Sequence, residues 1–371
     1  MSPAYIFLFI AFLLSAIMGM IIIPRILFLS HKHKLYDIPD ERKIHKTPVP
    51  RLGGLTFFPV ITITISFLMA VRYIMGYDVI QIPERIVLIE FLCLLAGACI
   101  LYIIGVGDDL IGISYRSKFM AQILCGLLLA ISGLWLHDLD GFLGIHAIRA
   151  RFSYPLTILI VVFITNAFNL IDGIDGLASG LASMALAVFA FIFIHERQLI
   201  YALVAISTLG ILVPFWIYNV FGNQARGHKI FMGDTGSLTL GFILSFLALR
   251  ICLTGAEHPG VSNHVIIAIS SLIVPAFDVI RVALHRIRKH RNPFMPDRNH
   301  IHHKLLRAGM RKRYVTTFII ALALFFIILN AMIDNQLNIT FVLMIDFAIY
   351  ILMHLAINHF IRKEEGTPHS I

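Results

Sequence analysis

The chain has 371 residues, of which 58% are hydrophobic and 14% are charged, and its mean hydropathy is +0.86. Soluble domains contain roughly 45–50% apolar residues, so this composition excludes an ordinary soluble protein and indicates a lipid bilayer as the solvent. The formal net charge of +9 is that of a membrane protein with basic cytoplasmic loops, and we expect no nucleic acid as a partner.

Apolar runs predict an all-α, polytopic transmembrane helix bundle of about 11 spans, because about 20 apolar residues cross a bilayer. The predicted spans are residues 4–24, 54–74, 86–105, 119–136, 153–170, 177–194, 199–218, 236–254, 264–284, 314–333 and 340–360. No stretch has the composition of a separate soluble domain, so residues 1–371 are expected to form a single integral membrane domain.

Basic residues predict how the bundle is oriented. Segments 31–52 and 286–313 contain six and ten Lys and Arg residues, whereas the loops on the opposite side contain few. Because positive charge is retained on the cytoplasmic side, we expect the N-terminus outside and the C-terminus in the cytoplasm. Cytoplasmic active-site loops are then expected near residues 31–52, 106–118, 171–176, 219–235 and 285–313.

The loop that enters the second span reads Lys43-Ile44-His45-Lys46-Thr47-Pro48-Val49-Pro50-Arg51-Leu52-Gly53-Gly54. Basic residues beside a span need no further function. The prolines and paired glycines, however, indicate a fixed backbone that a mere flank would not need. A functional role is therefore favoured for this loop, and Lys118, near the start of the fourth span, is considered with it.

Two adjacent carboxylates, Asp108 and Asp109, follow the third span in the sequence Gly105-Val106-Gly107-Asp108-Asp109-Leu110. Because they repel one another, a positive partner is expected: Mg²⁺, a substrate cation or a nearby lysine. An isolated Asp pair at the start of a loop is also common without a function, so this motif is weak evidence when taken alone.

The fifth span ends in Asn166-Ala167-Phe168-Asn169-Leu170-Ile171-Asp172-Gly173-Ile174-Asp175-Gly176-Leu177. Its four polar residues, Asn166, Asn169, Asp172 and Asp175, recur every three positions, which places them close to one face if the segment is helical. A plain Asx-Gly turn is the alternative. Carboxylates at a membrane boundary without partners are costly, so a functional site is favoured.

The eighth span is preceded by Phe231-Met232-Gly233-Asp234-Thr235-Gly236-Ser237. Asp234 or Ser237 could simply cap the helix. A glycine-flanked helix N-terminus also suits phosphate, and a carboxylate there could reach that phosphate through Mg²⁺, so both interpretations can hold together.

The basic loop near residues 285–313 contains Pro296-Asp297-Arg298-Asn299-His300-Ile301-His302-His303. Three histidines suggest zinc, but the local sequence offers no obvious tetrahedral set of Cys or acidic ligands. With Arg291 and Arg298 nearby, pyrophosphate binding is favoured over zinc and over a plain solvated loop.

All five motifs fall on the side predicted to be cytoplasmic. Together they offer acids for a divalent metal, bases for phosphates and an apolar bundle for a lipid, a combination that suits phosphoryl transfer at a membrane interface. The alternative from another class is a transporter, which predicts charged groups at the bilayer midplane. The spans are expected to be nearly free of such charges, with Glu90 as the main exception.

From about Lys43 to His303, these motifs and their order resemble the polyprenyl-phosphate N-acetylhexosamine-1-phosphate transferases, the family that includes phospho-N-acetylmuramoyl-pentapeptide transferase. The resemblance implies Mg²⁺, for which Mn²⁺ could substitute, a UDP-N-acetylhexosamine donor and an undecaprenyl phosphate acceptor in the membrane lipid. It implies a multi-pass protein of the bacterial inner (cytoplasmic) membrane, active on the cytoplasmic face. A homodimer is compatible with it.

By the same resemblance, Asp234 and Asn169 match residues at the metal. Asp108 and Asp109 match an acidic pair, one of which is proposed to deprotonate the lipid phosphate. The residues expected to bind the substrates are Lys46, Lys118, Asn166, Asp172, Asp175, Arg298, His300, His302 and His303.

Two departures indicate a branch of the family. The acidic pair continues as Leu110-Ile111-Gly112 where the muramoyl-pentapeptide enzymes have DDxxK, and the histidine motif is His-Ile-His-His rather than three consecutive histidines. These features resemble the branch that transfers GlcNAc-1-phosphate from UDP-GlcNAc to undecaprenyl phosphate for O-antigen, common-antigen or teichoic-acid-type polysaccharides, with release of UMP. Direct attack by the lipid phosphate is expected, and a two-step route through an aspartyl-phosphate stays open.

Overall fold

A computed structural model describes residues 3–36, 49–76, 85–257, 264–290, 299–334 and 336–366. These residues form twelve α-helices and one two-stranded sheet. The helices are α1 (Pro3–Lys32), α2 (Phe57–Met75), α3 (Arg85–Ile111), α4 (Tyr115–Ile131), α5 (Ala150–Ile171), α6 (Leu177–His195), α7 (Leu199–Trp216), α8 (Gly233–Glu257), α9 (His264–Arg288), α10 (Ile301–Arg307), α11 (Lys312–Ile333) and α12 (Ile339–Gly366). The strands are β1 (Asp138–Phe142) and β2 (Ile145–Ala147).

The predicted all-α polytopic bundle is confirmed. Ten helices of the described residues are long and apolar enough to cross a membrane. The remaining predicted span, residues 119–136, corresponds to α4, which has 17 residues and is therefore about 25 Å long. This helix ends five residues before the predicted boundary, because Gly133 has a positive φ of 104° and the chain turns into the sheet.

Helix α8 forms the centre of the bundle. It packs against α3, α5, α6 and α9, and 89% of its membrane segment is buried, compared with 28% in α3, α11 and α12. A helix that is apolar on all sides is stable only when it is surrounded. Because α8 is surrounded, its N-terminal turn, which contains Asp234, lies between the ends of the neighbouring helices.

Acidic residues within the spans have partners. Oε2 of Glu90 accepts a hydrogen bond from the Tyr201 hydroxyl at 2.5 Å, and Oε1 lies 3.7 Å from Arg250 Nη1. Such pairing offsets the cost of burying a carboxylate in a membrane. Asp278 and Asp346 are also fully buried within helices and hydrogen-bonded, so Glu90 is not the main exception among the spans, contrary to the prediction from the sequence.

The small sheet lies at the end of the bundle where α5 begins. Strands β1 and β2 are antiparallel, with Asp138 opposite Ala147 and Phe142 opposite Ile145. Phe142 packs against a small apolar cluster of α9 and α12, formed by Ile266, Ile339 and Val342. The sheet therefore covers the end of the bundle opposite Asp108 and Asp234.

We call the opposite end of the bundle the polar end: it comprises the C-terminal ends of α3 and α5 and the N-terminal ends of α4, α6 and α8. The segment before α2 is fixed here by backbone hydrogen bonds to the segment before α8. Gly53 N and Gly54 N donate to the carbonyls of Phe231 and Met232 at 2.9 and 2.8 Å, and Phe231 N donates to Pro50 O at 2.8 Å. The fixed backbone predicted from the prolines and glycines of this segment is thus observed for residues 50–54.

Candidate active site

Three carboxylates from two helices meet at the polar end. One oxygen atom from each of Asp108, Asp109 and Asp234 lies within 4.8 Å of the others. Two cations approach this acid cluster: Lys118 Nζ lies 2.8 Å from Asp234 Oδ2 and 3.3 Å from Asp108 Oδ1, and Arg51 Nη2 lies 3.4 Å from Asp234 Oδ1. Among the described residues of the cluster, three negative charges face two positive ones.

The two adjacent acids of α3 have different surroundings. Asp109 has a fully buried side chain, 0% exposed, and its carboxylate receives the first amides of α8. Asp234 N donates to Oδ1 at 2.8 Å, while Thr235 N and Thr235 Oγ1 donate to Oδ2 at 2.9 and 2.7 Å. A carboxylate that binds the free N–H groups at a helix N-terminus stabilises that terminus. Asp109 therefore fixes the turn that carries Asp234.

Gly233 makes this contact sterically feasible. Its φ is +70°, and a Cβ atom at this position would lie 2.1 Å from Arg51 O and 2.4 Å from Asp109 Oδ2. Only glycine adopts this left-handed conformation without cost, and only glycine leaves room for the carboxylate.

Asp108 is less constrained. Its side chain is 13% exposed, and Oδ1 accepts a hydrogen bond from Ile113 N at 2.8 Å in addition to the contact with Lys118. Asp108 and Asp234, whose side chain is 12% exposed, are thus the two acids of the cluster that reach the surface of the site.

The donor set of the cluster fits Mg²⁺. Hard divalent cations prefer carboxylate and carbonyl oxygens, and the acid cluster is the one group of three or more clustered metal-binding side chains within the described part of the chain. Asp234 is the carboxylate that would hold the ion, with Asn169 beside it, since the oxygens of Asp109 are occupied by α8 and Asp108 is bound to Ile113 N and Lys118. The ammonium group of Lys118 lies 2.8 Å from Asp234 Oδ2, so a positive charge is accommodated beside this carboxylate.

Asn169 and Asn166 lie one turn apart on α5 but have different partners. Asn169 Nδ2 donates to Ser237 Oγ at 2.9 Å, which places it beside the first turn of α8 and close to Asp234. Asn166 forms a reciprocal amide pair with Gln122 of α4, and its Nδ2 also donates to Val162 O. Asn166 therefore joins α4 to α5 in this structure.

The turn between α5 and α6, residues 172–176, contains Asp172. Burial raises the pKa of the Asp172 carboxyl to about 7, Arg51 opposes this shift, and the negative charges of Asp234, Asp109 and Asp175 add to it. Asp172 is therefore close enough to the acid cluster to share its electrostatic field.

The other acid of this turn, Asp175, is paired with the segment before α8. Lys229 Nζ lies 2.7 Å from Asp175 Oδ2. Asn219 connects the same two segments, because its Oδ1 accepts from Gly176 N at 2.7 Å and its Nδ2 donates to Ile230 O at 2.8 Å. The 172–176 turn is thus fixed to the loop that leads to Asp234.

The histidine motif begins the short helix α10, which lies against the 172–176 turn. The His302 ring is 1% exposed, and a Cβ atom built on Gly173 would lie 2.3 Å from its Nε2. Burial, with the charge of His303 as the next contribution, lowers the pKa of His302 to about 3. His302 is therefore neutral near pH 7, and its contribution to anion binding would be a hydrogen bond and not a charge.

His300 and His303 flank this ring. The rings of His300 and His302 are parallel, with centroids 6.0 Å apart, and those of His302 and His303 lie 4.3 Å apart. His300 Nδ1 lies 2.8 Å from Asp278 Oδ2. The described residues around the three histidines include no tetrahedral set of zinc ligands.

Two predicted site residues, Lys46 and Arg298, lie outside the described residues. The structure adds four residues that the sequence analysis did not assign to the site: Arg51, Asn219, Lys229 and Asp278. Arg51 stood within a motif that was singled out, and Asp278 could have been noticed as an acid within an apolar span. Asn219 and Lys229 gave no signal, because ordinary polar residues in a loop are common.

Gly173→Ala is expected to lower kcat/KM by up to about 100-fold, because the added methyl group must displace the His302 ring and small misplacements in an active site have effects of this size. The same change in a His302→Ala background should cost little further. Gly180→Ala is the matched control, since its Cβ would meet only the flexible side chain of Ile320, nearest at the terminal methyl. Steady-state kinetics that leave Gly173→Ala at the wild-type rate would contradict this packing role.

Known proteins are similar to this chain over most of its length. The model of glycosyl transferase family 4 matches residues 91–252. An undecaprenyl-phosphate α-N-acetylglucosaminyl 1-phosphate transferase of Yersinia pestis is 32% identical over 281 residues, covering 75% of this chain and 71% of that protein. A protein of Bacillus subtilis named as probable undecaprenyl-phosphate N-acetylglucosaminyl 1-phosphate transferase is 31% identical over 351 residues, covering 93% and 90%. The Escherichia coli K12 enzyme with the same name as the Yersinia protein is 32% identical over 286 residues, covering 76% and 72%.

Proposed function

The chain belongs to glycosyl transferase family 4, and on this premise we propose that it transfers N-acetylglucosamine 1-phosphate from UDP-N-acetylglucosamine to undecaprenyl phosphate and releases UMP. The relatives are named for transfer of this sugar phosphate to this lipid. The reaction would take place at the cytoplasmic face of the bacterial inner membrane and would begin the synthesis of an O-antigen, common-antigen or teichoic-acid-type polysaccharide.

The observation that carries this proposal is the acid cluster at the end of an apolar bundle. Asp108, Asp109 and Asp234 lie together where α3 and α8 reach the polar end, beside the 172–176 turn, against which α10 packs. A lipid phosphate approaching along the bundle and a nucleotide sugar approaching from water would meet there. Phosphoryl transfer depends mainly on positioning and on offsetting charge, and this end of the bundle provides groups for both.

The roles of the acids follow from their surroundings. Asp109 fixes the first turn of α8 and so the position of Asp234. Asp108, partly exposed and next to Lys118, is the candidate to accept a proton from the lipid phosphate. Lys118 and Arg51 would attract and orient the phosphates of both substrates.

Asp234 and Asn169 would hold Mg²⁺. When bound, the ion would neutralise charge on the donor pyrophosphate and polarise it toward attack. The 172–176 turn and α10 would hold the rest of the nucleotide sugar, because the turn lies at the polar end, the Asp175–Lys229 pair fixes it, and α10 packs against it through His302 and Gly173.

Direct attack by the lipid phosphate on the sugar-bearing β-phosphorus would break the bond to UMP in one step. A two-step route would need an acid free to be phosphorylated. Asp109 is poorly suited to that, since its two oxygens receive three hydrogen bonds, so Asp108 is the acid on which a covalent intermediate would have to form.

The function is tested by offering the purified protein UDP-GlcNAc, UDP-GalNAc or UDP-MurNAc-pentapeptide, each with undecaprenyl phosphate and Mg²⁺, and measuring UMP and the lipid product. UDP-GlcNAc should be turned over fastest. Faster turnover of another donor would show that its sugar, and not GlcNAc, is the one transferred. Absence of UMP release with all three donors would contradict the proposed transfer reaction.

Removal of divalent metal should abolish UMP release, because the acid cluster without a metal repels the donor pyrophosphate. Excess EDTA is expected to stop the reaction, Mg²⁺ to restore it and Mn²⁺ to substitute in part, whereas a zinc-selective chelator in excess Mg²⁺ should have no effect. About one tightly held zinc ion per chain, lost in His302→Ala, would instead assign the histidines to a metal site.

A further inference from the structure

Asp278 is a buried acid with no role in the transfer reaction as proposed for the acid cluster. It lies in α9 and is 0% exposed, and donors from three helices surround it. His300 Nδ1 lies 2.8 Å from Oδ2, while Ile301 N at 2.9 Å and Arg281 Nη2 at 2.7 Å donate to Oδ1. The Tyr350 hydroxyl of α12 lies 3.4 Å from the same oxygen.

The contact with Asp278 determines which tautomer the His300 ring adopts. A carboxylate can only accept a hydrogen bond, so Nδ1 must carry the proton that points at Asp278. The partner of one ring nitrogen determines what the other can do. Among the described residues, the Nε2 atom of His300 has no hydrogen-bond partner. Nε2 is therefore the ring nitrogen that is available to bind a substrate.

The same carboxylate also sets the position of α10. Ile301 N is the first amide of that helix, and its hydrogen bond to Asp278 Oδ1 ties the helix N-terminus to α9 while the other oxygen holds the ring. From His300 the contacts continue to the parallel ring of His302 and from there to Gly173. Asp278 is thus connected, through two histidines, to the 172–176 turn.

We propose that Asp278 is a positioning residue for the transfer reaction: it orients His300 through Nδ1 so that Nε2 contacts the phosphates of the nucleotide sugar. This proposal rests on the proposed function, since it assigns the phosphates of that donor to His300. The residue acts through His300 and would not itself touch the substrate.

Asp278→Asn tests the proposal, because asparagine has one oxygen where two are needed. That oxygen can accept from Ile301 N and Arg281 or from His300, but not from all three in the present geometry. We expect kcat/KM for UDP-GlcNAc to fall about 10- to 100-fold, as for other partners that orient a functional histidine. The loss should appear in the KM for UDP-GlcNAc, with the KM for undecaprenyl phosphate little changed.

His300→Asn separates this role from a merely structural one. The asparagine amide can occupy the position of Nδ1 and keep the hydrogen bond to Asp278, while Nε2 is lost. We expect this variant to retain the wild-type thermal midpoint and to raise the KM for UDP-GlcNAc. Adding Asp278→Asn to it should lower kcat/KM little further, since the group through which Asp278 acts is already absent.

Asp346→Asn is the matched control. Asp346 is also a fully buried acid in the same part of the bundle, but its partner is Asn330 Nδ2 at 2.8 Å. It should lower the thermal midpoint without raising the KM for UDP-GlcNAc.

Wild-type kcat/KM in His300→Asn, or additive losses in the double variant, would overturn the role of Asp278 while leaving the proposed function intact. If Asp278→Asn does not fold, His300→Asn alone still decides whether Nε2 is used. A wild-type protein that neither releases UMP nor is stabilised against heat by UDP-GlcNAc would instead overturn the proposed function itself.

Discussion

Asp234→Asn is expected to lower UMP release by at least about 1,000-fold, the effect that loss of a principal electrostatic group has in phosphoryl transfer. Asparagine keeps the shape of the side chain but removes the charge that faces Lys118 and Arg51 and that would bind Mg²⁺. The rate should be measured over a range of Mg²⁺ concentrations, because weaker metal binding would raise the concentration needed.

The fold of the Asp234→Asn variant should be nearly intact. Its backbone amide still donates to Asp109, so the first turn of α8 keeps its cap. Asp140→Asn, a change of the same kind at the exposed hairpin on the opposite end, is the control and should leave the rate unchanged. A folded Asp234→Asn protein with substantial Mg²⁺-dependent activity would show that the metal assignment is wrong.

Hydropathy and charge were sufficient to predict the bundle and the residues at its polar end. The motifs around Asp108, Asp172, Asp234 and His302 lie up to roughly 200 residues apart in the chain, yet each stands at the end of an apolar run, and alternation of the spans placed these ends on one side. The structure brings them together through contacts such as those of Lys118 with Asp234 and of Gly173 with His302. The orientation of the bundle in the membrane stays a prediction.

Other features could not be predicted because they depend on contacts between distant segments. Residues 138–147 alternate too weakly to indicate strands, and the hairpin is held by packing of Phe142 against α9 and α12. The role of Asp278 is invisible in the sequence, since it depends on the return of His300 to α9 after a loop. The division of roles within the acidic pair also depends on three-dimensional geometry.

Asp108 and Asp109 are neighbours in the sequence but face different directions, since consecutive residues of an α-helix are about 100° apart around its axis. Asp109 meets the N-terminus of α8 and Asp108 meets Lys118. We therefore expect Asp109→Asn to lower both the rate and the thermal midpoint. The Asp109→Asn substitution leaves an amide or hydroxyl donor of the first turn of α8 without an acceptor, which lowers the free energy of unfolding by about 1–3 kcal/mol.

Asp108→Asn should lower the rate strongly and leave the thermal midpoint close to the wild-type value, because asparagine still accepts the hydrogen bond from Ile113 N. If Asp108 removes the proton of the lipid phosphate, its loss matters most at low pH, where the phosphate carries that proton. A phosphate monoester loses it near pH 6, so the ratio of the wild-type to the Asp108→Asn rate should shrink as pH rises from about 6 to 9. The corresponding ratio for Asp109→Asn should not shrink as pH rises, because a displaced helix N-terminus is not restored by pH. Parallel pH profiles for the two variants would remove Asp108 as the base, and a thermal midpoint of Asp109→Asn equal to that of the wild type would remove Asp109 as the residue that fixes α8.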